Sequence, residues 1–151
     1  MEQTRQLMVD LHPVILDEVG LVPALHWYVE KRMEGQSVQV LLETSGTGRR
    51  LPSDMELAVF RIVQEAVNNV AKHAQASTLR IEVAFQPEQV CVTVTDDGRG
   101  FSLAEAMSSS TSTPRLGLLE MPERAALVHG SVTVDSVPGR GTRVDVQIPL
   151  T

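Results

Sequence analysis

The stretch that most constrains this chain runs from residue 57 to residue 74, because it has the period of a helix and also carries a polar stripe. At about 100° per residue its apolar side chains fall on one side, which predicts a helix that faces a core. Glu65, Asn69 and Lys72 share a narrow arc of another side, and His73 lies at the border between the two. The apolar positions of the helix are Met55, Val59, Ile62, Ala66 and Val70.

The polar stripe combines a carboxylate, an amide oxygen and an ammonium group on one side of the helix. Such a set can hold a hydrated cation together with the phosphates that the cation carries. Mg²⁺ prefers oxygen ligands and keeps several waters, so that one or two protein groups suffice. A solvated polar face is the alternative interpretation, and the helix alone does not decide between the two.

The segments around this helix predict the fold class. Before residue 53 and after residue 74 apolar residues often alternate with polar ones, which is typical of strands half-buried in a sheet. We predict an α+β fold, a two-layer sandwich in which a mixed sheet of about five strands is covered on one face by about three helices. Helices are predicted over residues 2–12, 14–32, 53–74 and 116–129, strands near residues 38–42, 79–85, 90–94, 132–134 and 144–148, a glycine-rich loop over 45–50, a helix cap at 52–54 and a mobile loop over 102–115.

Composition excludes several classes of protein. Thirteen basic and nineteen acidic residues give a net charge of −6, which argues against a general nucleic-acid binder. The single cysteine, Cys91, has no internal disulfide partner, so we expect a reducing, cytoplasmic location. No apolar run approaches the length of about 18 residues that a membrane helix needs, so any membrane anchor would lie outside this chain.

Three glycine-containing stretches follow the central helix. Asp96, Gly98 and Gly100 come directly after a predicted strand; glycines let a backbone approach a ligand, and a carboxylate can accept a hydrogen bond from an amine such as that of adenine. Gly117 precedes a predicted helix, whose first N–H groups can face phosphate. Taken singly, the Asp96 stretch is better interpreted as a turn and residues 138–142 as a hairpin turn, while Gly117 is equally well interpreted as a plain helix start.

Taken together and in this order, these stretches resemble the ATP-binding catalytic domain of sensor histidine kinases, which shares a superfamily with DNA gyrase B, MutL and the anti-sigma-factor kinases. Residues 65–74 resemble the family's N box, 96–101 its G1 box, 117–125 its G2 box and 138–142 its closing Gly-Thr element. Residues 11–25 are similar to the segment that joins this domain to the dimerisation helices of DesK/NarX-type kinases. The resemblance implies a Bergerat-type ATP-binding fold.

The resemblance also implies roles for the polar stripe. Asn69 would ligate a Mg²⁺ ion that bridges the phosphates of ATP, and Lys72 and His73 would contact phosphate oxygens. Glu65 occupies the position that activates water in ATPases of the superfamily. In kinases of this branch the proton acceptor is usually an acidic residue beside the phosphorylated histidine. We therefore expect Glu65 to have an orienting role only.

At the other end of the nucleotide, the resemblance implies that Asp96 binds the adenine amine and that Thr142 supports it through water. The remaining nucleotide contacts and lid hinges would be Gly98, Gly100, Arg115, Gly117 and Leu118. Arg115 is a departure from the family, because the lid motif usually has its first glycine there. It puts the lid's flexibility in doubt, and Arg115 is instead a candidate phosphate contact.

The phosphoacceptor motif of the family, a histidine followed by an acidic residue on a long helix, is missing. His12 and His26 are followed by Pro13 and Trp27, and His129 ends a predicted helix. We therefore interpret the chain as a fragment, with residues 1–25 as the end of a dimerisation helix and connecting segment and residues 26–151 as the kinase catalytic domain.

The implied activity is transfer of the γ-phosphate of ATP to a histidine on the dimerisation domain, and from there to a response regulator. We expect a homodimer when the protein is complete, a monomer for this fragment, and no nucleic-acid partner. Two alternatives stay open. An anti-sigma-factor kinase would phosphorylate serine on a partner, although residues 11–25 argue against it. A nucleotide-binding module without catalysis would signal through movement of its lid.

Overall fold

A five-stranded mixed sheet forms one layer of the fold in the computed structural model, which describes residues 13–102 and 117–150. The strand order is β1-β2-β3-β5-β4. β1 runs parallel to β2, and the other three neighbouring pairs are antiparallel. The strands are β1 (Gln39–Gly46), β2 (Thr78–Phe85), β3 (Gln89–Asp96), β4 (Ser131–Val137) and β5 (Gly141–Pro149).

One face of this sheet is apolar because alternate residues of each strand point the same way. Along β3, Val90, Val92 and Val94 are at most 2% exposed, while the intervening residues are only partly covered. The opposite face carries charged pairs such as Arg80 with Glu43. The sheet therefore buries one face under the helices and turns the other to solvent.

The helices form the second layer. They are α1 (Val14–Val19), α2 (Leu21–Arg32), α3 (Ser53–Asn69) and α4 (Glu120–Ala126), and α3 continues into a π-helical turn, Val70–Ala74. α3 lies in the middle and contacts α2, α4, β3 and β5. That position explains why it is buried on more than one side, with Phe60 and Val63 as well covered as the predicted core positions Val59 and Ile62. The two-layer α+β fold predicted from the sequence is confirmed.

Local differences from the prediction have physical reasons. The helix predicted over residues 14–32 is divided at Gly20, whose φ of 88° ends α1 and starts α2. Residues 45 and 46, predicted as loop, continue β1 because they pair with β2. α3 begins within the cap predicted at residues 52–54, but its N-cap is Pro52, whose backbone carbonyl rather than a side chain accepts from the N–H groups of Met55 and Glu56. α4 begins only at Glu120, with Pro122 in its first turn, where the ring is tolerated.

The predicted boundary between residues 25 and 26 falls inside α2 and stays a prediction. Leu16 of α1 and Leu25 of α2 are fully buried in the same core as α3. The helix predicted over residues 2–12 and the loop predicted over 102–115 lie outside the described residues, apart from Ser102. Within residues 13–102 and 117–150, no helix has the length and apolarity that a bilayer crossing demands.

Candidate nucleotide-binding site

Asp96 ends the apolar register of β3 and is a buried carboxylate, 7% exposed. Its Oδ1 accepts a hydrogen bond from the backbone N–H of Gly98 at 2.8 Å. Burial raises the pKa of Asp96 above its ordinary value, while the N–H groups of Gly98 and Thr142 oppose the rise. A buried carboxylate that keeps unused lone pairs can accept further hydrogen bonds from a ligand amine.

The loop after Asp96 packs against the turn between β4 and β5. The N–H of Gly139 donates to the carbonyl of Arg99 at 2.6 Å. Gly100 has a φ of 63°, and a Cβ there would overlap the carbonyl oxygen of Val137. Gly141 has a φ of 87°, and a Cβ there would overlap the carbonyl oxygen of Asp96. Both glycines are required by this close approach of two backbones, which brings together two of the glycine stretches singled out from the sequence.

Thr142 lies directly opposite Asp96 in the pairing of β3 with β5. Its Oγ1 is 2.8 Å from Oγ of Ser136, on the neighbouring strand β4. Oγ of Ser136 also accepts from the N–H of Phe101 at 2.9 Å and donates to the carbonyl of Gly141 at 3.2 Å. The structure therefore brings together Asp96, Thr142 and the glycine loop, and adds Ser136, which the sequence interpretation missed.

Asp97, next to Asp96, is used differently. Its Oδ1 accepts from the backbone N–H groups of Ser77 at 2.8 Å and Thr78 at 2.9 Å. These hydrogen bonds, first that from Thr78 and then that from Ser77, lower the pKa of Asp97. Ser77 directly precedes β2 and Thr78 is its first residue, so Asp97 ties the start of β2 to the end of β3. The chain that leaves the polar stripe therefore enters the sheet beside the buried carboxylate.

The polar stripe occupies the C-terminal part of the central helix. Glu65 and Asn69 lie on α3 and are half-buried. Lys72 and His73 lie on the π-helical turn, where Lys72 is exposed and His73 is half-buried. Wider turns of this kind occur often at functional sites. The neighbouring Asn68 accepts a hydrogen bond from Nε of Arg32 at 2.9 Å, so it serves the contact between α2 and α3.

Glu65 lies against Gly117, in the glycine stretch that precedes α4. Gly117 has a φ of 69°, and a Cβ there would overlap the carboxyl group of Glu65. Between α3 and α4, beside this contact, lies a polar cavity of about 420 Å³. Arg61 lines it, buried to 6% exposure, with Nη1 donating to Oε1 of Gln64 at 2.9 Å. Leu118 is buried at 6%, so its side chain packs in the protein, and Arg115 lies outside the described residues.

A metal ion at this site would need the phosphates of the nucleotide for most of its ligands. Among residues 13–102 and 117–150, no group of three or more His, Cys, Asp and Glu side chains could hold an ion. A Mg²⁺ ion that takes most of its ligands from phosphates and water needs only one or two protein oxygens. The amide oxygen of Asn69 is of the type that such an ion accepts.

Known proteins resemble this chain over nearly its whole length. Residues 54–151 match the family of histidine kinase-, DNA gyrase B-, and HSP90-like ATPases. The chain is 34% identical to the signal transduction histidine-protein kinase/phosphatase DegS of Brevibacillus brevis, with 99% of this chain and 37% of DegS covered. It is 33% identical to the oxygen sensor histidine kinase NreB of Staphylococcus carnosus, with 99% of this chain and 42% of NreB covered. The chain thus spans well under half the length of these relatives.

A solved structure shows the same fold. The histidine kinase domain from the Erythrobacter litoralis EL346 blue-light activated histidine kinase aligns with a TM-score of 0.67 at 20% identity, covering 87% of this chain and 59% of that domain. The family match and the two sequence relatives confirm the resemblance predicted from the ordered motifs, whereas the individual nucleotide contacts stay predictions. The chain belongs to the family of histidine kinase-, DNA gyrase B-, and HSP90-like ATPases.

Proposed function

We propose that this chain is the ATP-binding catalytic domain of a two-component sensor histidine kinase. The observation that carries the proposal is the buried Asp96, framed by Thr142 and by a loop whose glycines are required by close backbone contacts. A desolvated acceptor suits a purine amine better than a phosphate, because a carboxylate repels phosphate. We assign adenine to this end of the site.

The phosphates are assigned to the other end. Lys72 and His73 supply positive or hydrogen-bonding groups, and Asn69 supplies the oxygen for a Mg²⁺ ion that offsets phosphate charge. Phosphoryl transfer depends mostly on positioning and on charge stabilisation, so these groups suffice without a nucleophile on this chain. The contact between Glu65 and Gly117 connects this end to the chain that leads into α4, where the lid of the nucleotide is expected.

The acceptor of the γ-phosphate is proposed to be a histidine on dimerisation helices outside this chain, from which a response regulator receives it. The family relationship to DegS and NreB supports a two-component kinase over a serine kinase. We propose a cytoplasmic domain that dimerises only through those helices and binds no nucleic acid.

Labelling with γ-³²P-ATP tests the proposal. The product of the whole gene should acquire a phosphate that is labile in acid and stable in alkali, as phosphohistidine is, and residues 1–151 alone should stay unlabelled. None of the four histidines of the chain is followed in the sequence by an acidic residue, and transfer needs the γ-phosphorus about 3–3.5 Å from the attacking nitrogen. Acid-stable label, or acid-labile label on residues 1–151 alone, would contradict the proposal.

A further inference from the structure

We infer that Ser136 is a positioning residue that sets the direction of the Thr142 hydroxyl and so helps to select adenine over guanine. The inference rests on the proposed function, because it assumes that Asp96 faces the purine. It concerns a residue of β4 that none of the predicted motifs includes.

The first observation is a row of polar residues where three apolar registers end. Val94 of β3, Val144 of β5 and Val134 of β4 are paired in register on the core face. One step further along the same face, Asp96 pairs with Thr142 and Thr142 pairs with Ser136. Directly opposite side chains in an antiparallel pair lie about 4.5–5.5 Å apart at Cβ and therefore interact. Three neighbouring strands thus all replace an apolar residue by a polar one at the same level of the sheet.

The second observation is the set of partners of the Ser136 hydroxyl, which has one hydrogen and two lone pairs. The N–H of Phe101 can only donate, and it uses one lone pair at 2.9 Å. The carbonyl of Gly141 can only accept, and it takes the hydrogen at 3.2 Å. One lone pair then remains for Thr142, whose Oγ1 is 2.8 Å away. All three contacts are satisfied together only if Thr142 donates its hydrogen to Ser136.

This assignment decides what Thr142 offers to a ligand. With its hydrogen directed at Ser136, the Thr142 oxygen presents only lone pairs to the site, as do the carboxylate oxygens of Asp96 beside it. At this level of the sheet, the side chains of Thr142 and Asp96 then offer only hydrogen-bond acceptors to the ligand. Adenine carries an amine with two hydrogens at position 6 and meets these acceptors favourably, directly or through a water. Guanine carries a carbonyl oxygen there, which finds no donor and is repelled.

Removing the serine hydroxyl should release this constraint. In Ser136→Ala the Thr142 hydroxyl is free to rotate and donate to the guanine carbonyl. The variant also deprives the Phe101 N–H of its acceptor, which would loosen the glycine loop for every nucleotide alike. The two effects are separable, because only the first one depends on the group at position 6 of the purine.

The experiment measures dissociation constants of ATP, GTP and purine riboside triphosphate, which lacks a group at position 6, for residues 1–151 by calorimetry. Ser136→Ala should lower the ratio of ATP to GTP affinity by about three- to tenfold, the range of one lost or gained hydrogen bond. Ser136→Thr, which keeps the hydroxyl on a strand that suits a β-branched residue, should restore the wild-type ratio. If Ser136→Ala does not fold, Ser136→Cys, with a weaker donor and acceptor, should lower the ratio in the same direction.

An equal loss of affinity for all three nucleotides in the alanine variant would overturn the inference, since that is the signature of a purely structural serine. If Asp96→Asn loses adenine preference while Ser136→Ala keeps it, the role of Ser136 is refuted and the proposed function stands. If wild-type protein binds ATP and GTP equally, adenine recognition at Asp96 fails and the inference fails with it.

Discussion

Gly117 lies so close to Glu65 that the carboxyl group of Glu65 occupies the place of a side chain on the glycine. The two residues are 52 positions apart in the chain (117 − 65) and bring the start of the α4 segment onto the polar stripe of α3. This contact places the backbone of Gly117 against the helix that also carries Asn69, the residue assigned to the Mg²⁺ ion. Glycine is required here both for space and for its φ of 69°.

Replacing Gly117 should therefore weaken nucleotide binding. Gly117→Ala forces the Glu65 carboxyl group away, and we expect ATP affinity to fall by about tenfold or more, equivalent to at least about 1.4 kcal/mol. Gly35→Ala is the matched control, because Gly35 has a similar φ of 81° but no atom within 4 Å of the added methyl group. It should show the strain of a positive φ in its unfolding curve and bind ATP normally. Equal affinities in the two variants would contradict the role of the contact.

Asp96 should make the fold less stable as pH rises. Burial raises its pKa in the folded state, so between the ordinary carboxyl pKa and the raised one the folded protein keeps a proton that the unfolded chain has lost. The free energy of unfolding therefore falls as pH rises through that window. Asp96→Asn removes this slope and should be more stable than wild type at neutral pH. Urea unfolding from pH 4 to 7 measures it; parallel curves for the two proteins would exclude the effect.

Asp97 should behave in the opposite sense. Hydrogen bonds from Thr78 and Ser77 lower its pKa, so the stability that it contributes is present above the ordinary carboxyl pKa and is lost as pH falls through the folded value. Asp97→Ala should lower the melting temperature at neutral pH, while ATP affinity changes less than in Asp96→Asn. Thermal denaturation and titration of the two variants side by side check this. Greater stability in Asp97→Ala would show that the two aspartates have been given the wrong roles.

Glu56 is a buried carboxylate, 2% exposed, that fixes the approach to α3. It accepts from Nε and Nη2 of Arg50, both at 3.1 Å, and from the N–H of Leu51 at 3.2 Å. Arg50 also donates to the carbonyl of Asp17, which links α1 to this group. Glu56→Leu leaves the buried N–H of Leu51 without an acceptor, and the free energy of unfolding should fall by roughly 1–3 kcal/mol.

The matched control for this variant is Glu82→Gln. Glu82 pairs with Arg80 at 3.4 Å, but both side chains are about half exposed. Exposed ion pairs contribute little, so this change should alter the free energy of unfolding by no more than about 0.5 kcal/mol. Chemical denaturation of both variants provides the comparison, and similar losses would show that Glu56 acts as an ordinary surface charge.

Patterns local in the sequence predicted most of the fold. The period of α3 and the alternation in β2 and β3 depend on neighbouring residues, so they could be recognised without the structure. The division at Gly20 could not, because an isolated glycine is tolerated inside a helix and its φ depends on packing. Likewise, the extension of β1 to Gly46 depends on pairing with Phe85, which is 39 residues away (85 − 46).

The candidate site was predictable where a motif contained it and not where strand order created it. Asp96 and Asp97 are adjacent acidic residues, and only their partners show that one is buried and the other joins two segments. The polar ends of β3, β4 and β5 are visible in the sequence as a break in alternating valines. That Thr142 lies between Asp96 and Ser136 follows from β5 lying between β3 and β4, an order that no local pattern determines.

The most direct test of the central claim, that Asp96 holds the adenine of ATP, is calorimetric titration of ATP into wild-type protein and Asp96→Asn. The asparagine keeps the acceptor for the Gly98 N–H but can turn a donor toward the adenine amine, and one such buried hydrogen bond lost costs roughly 1–3 kcal/mol. We predict ATP binding by wild type and at least about fivefold weaker binding by the folded variant. Equal ATP affinity in the two proteins would contradict the claim.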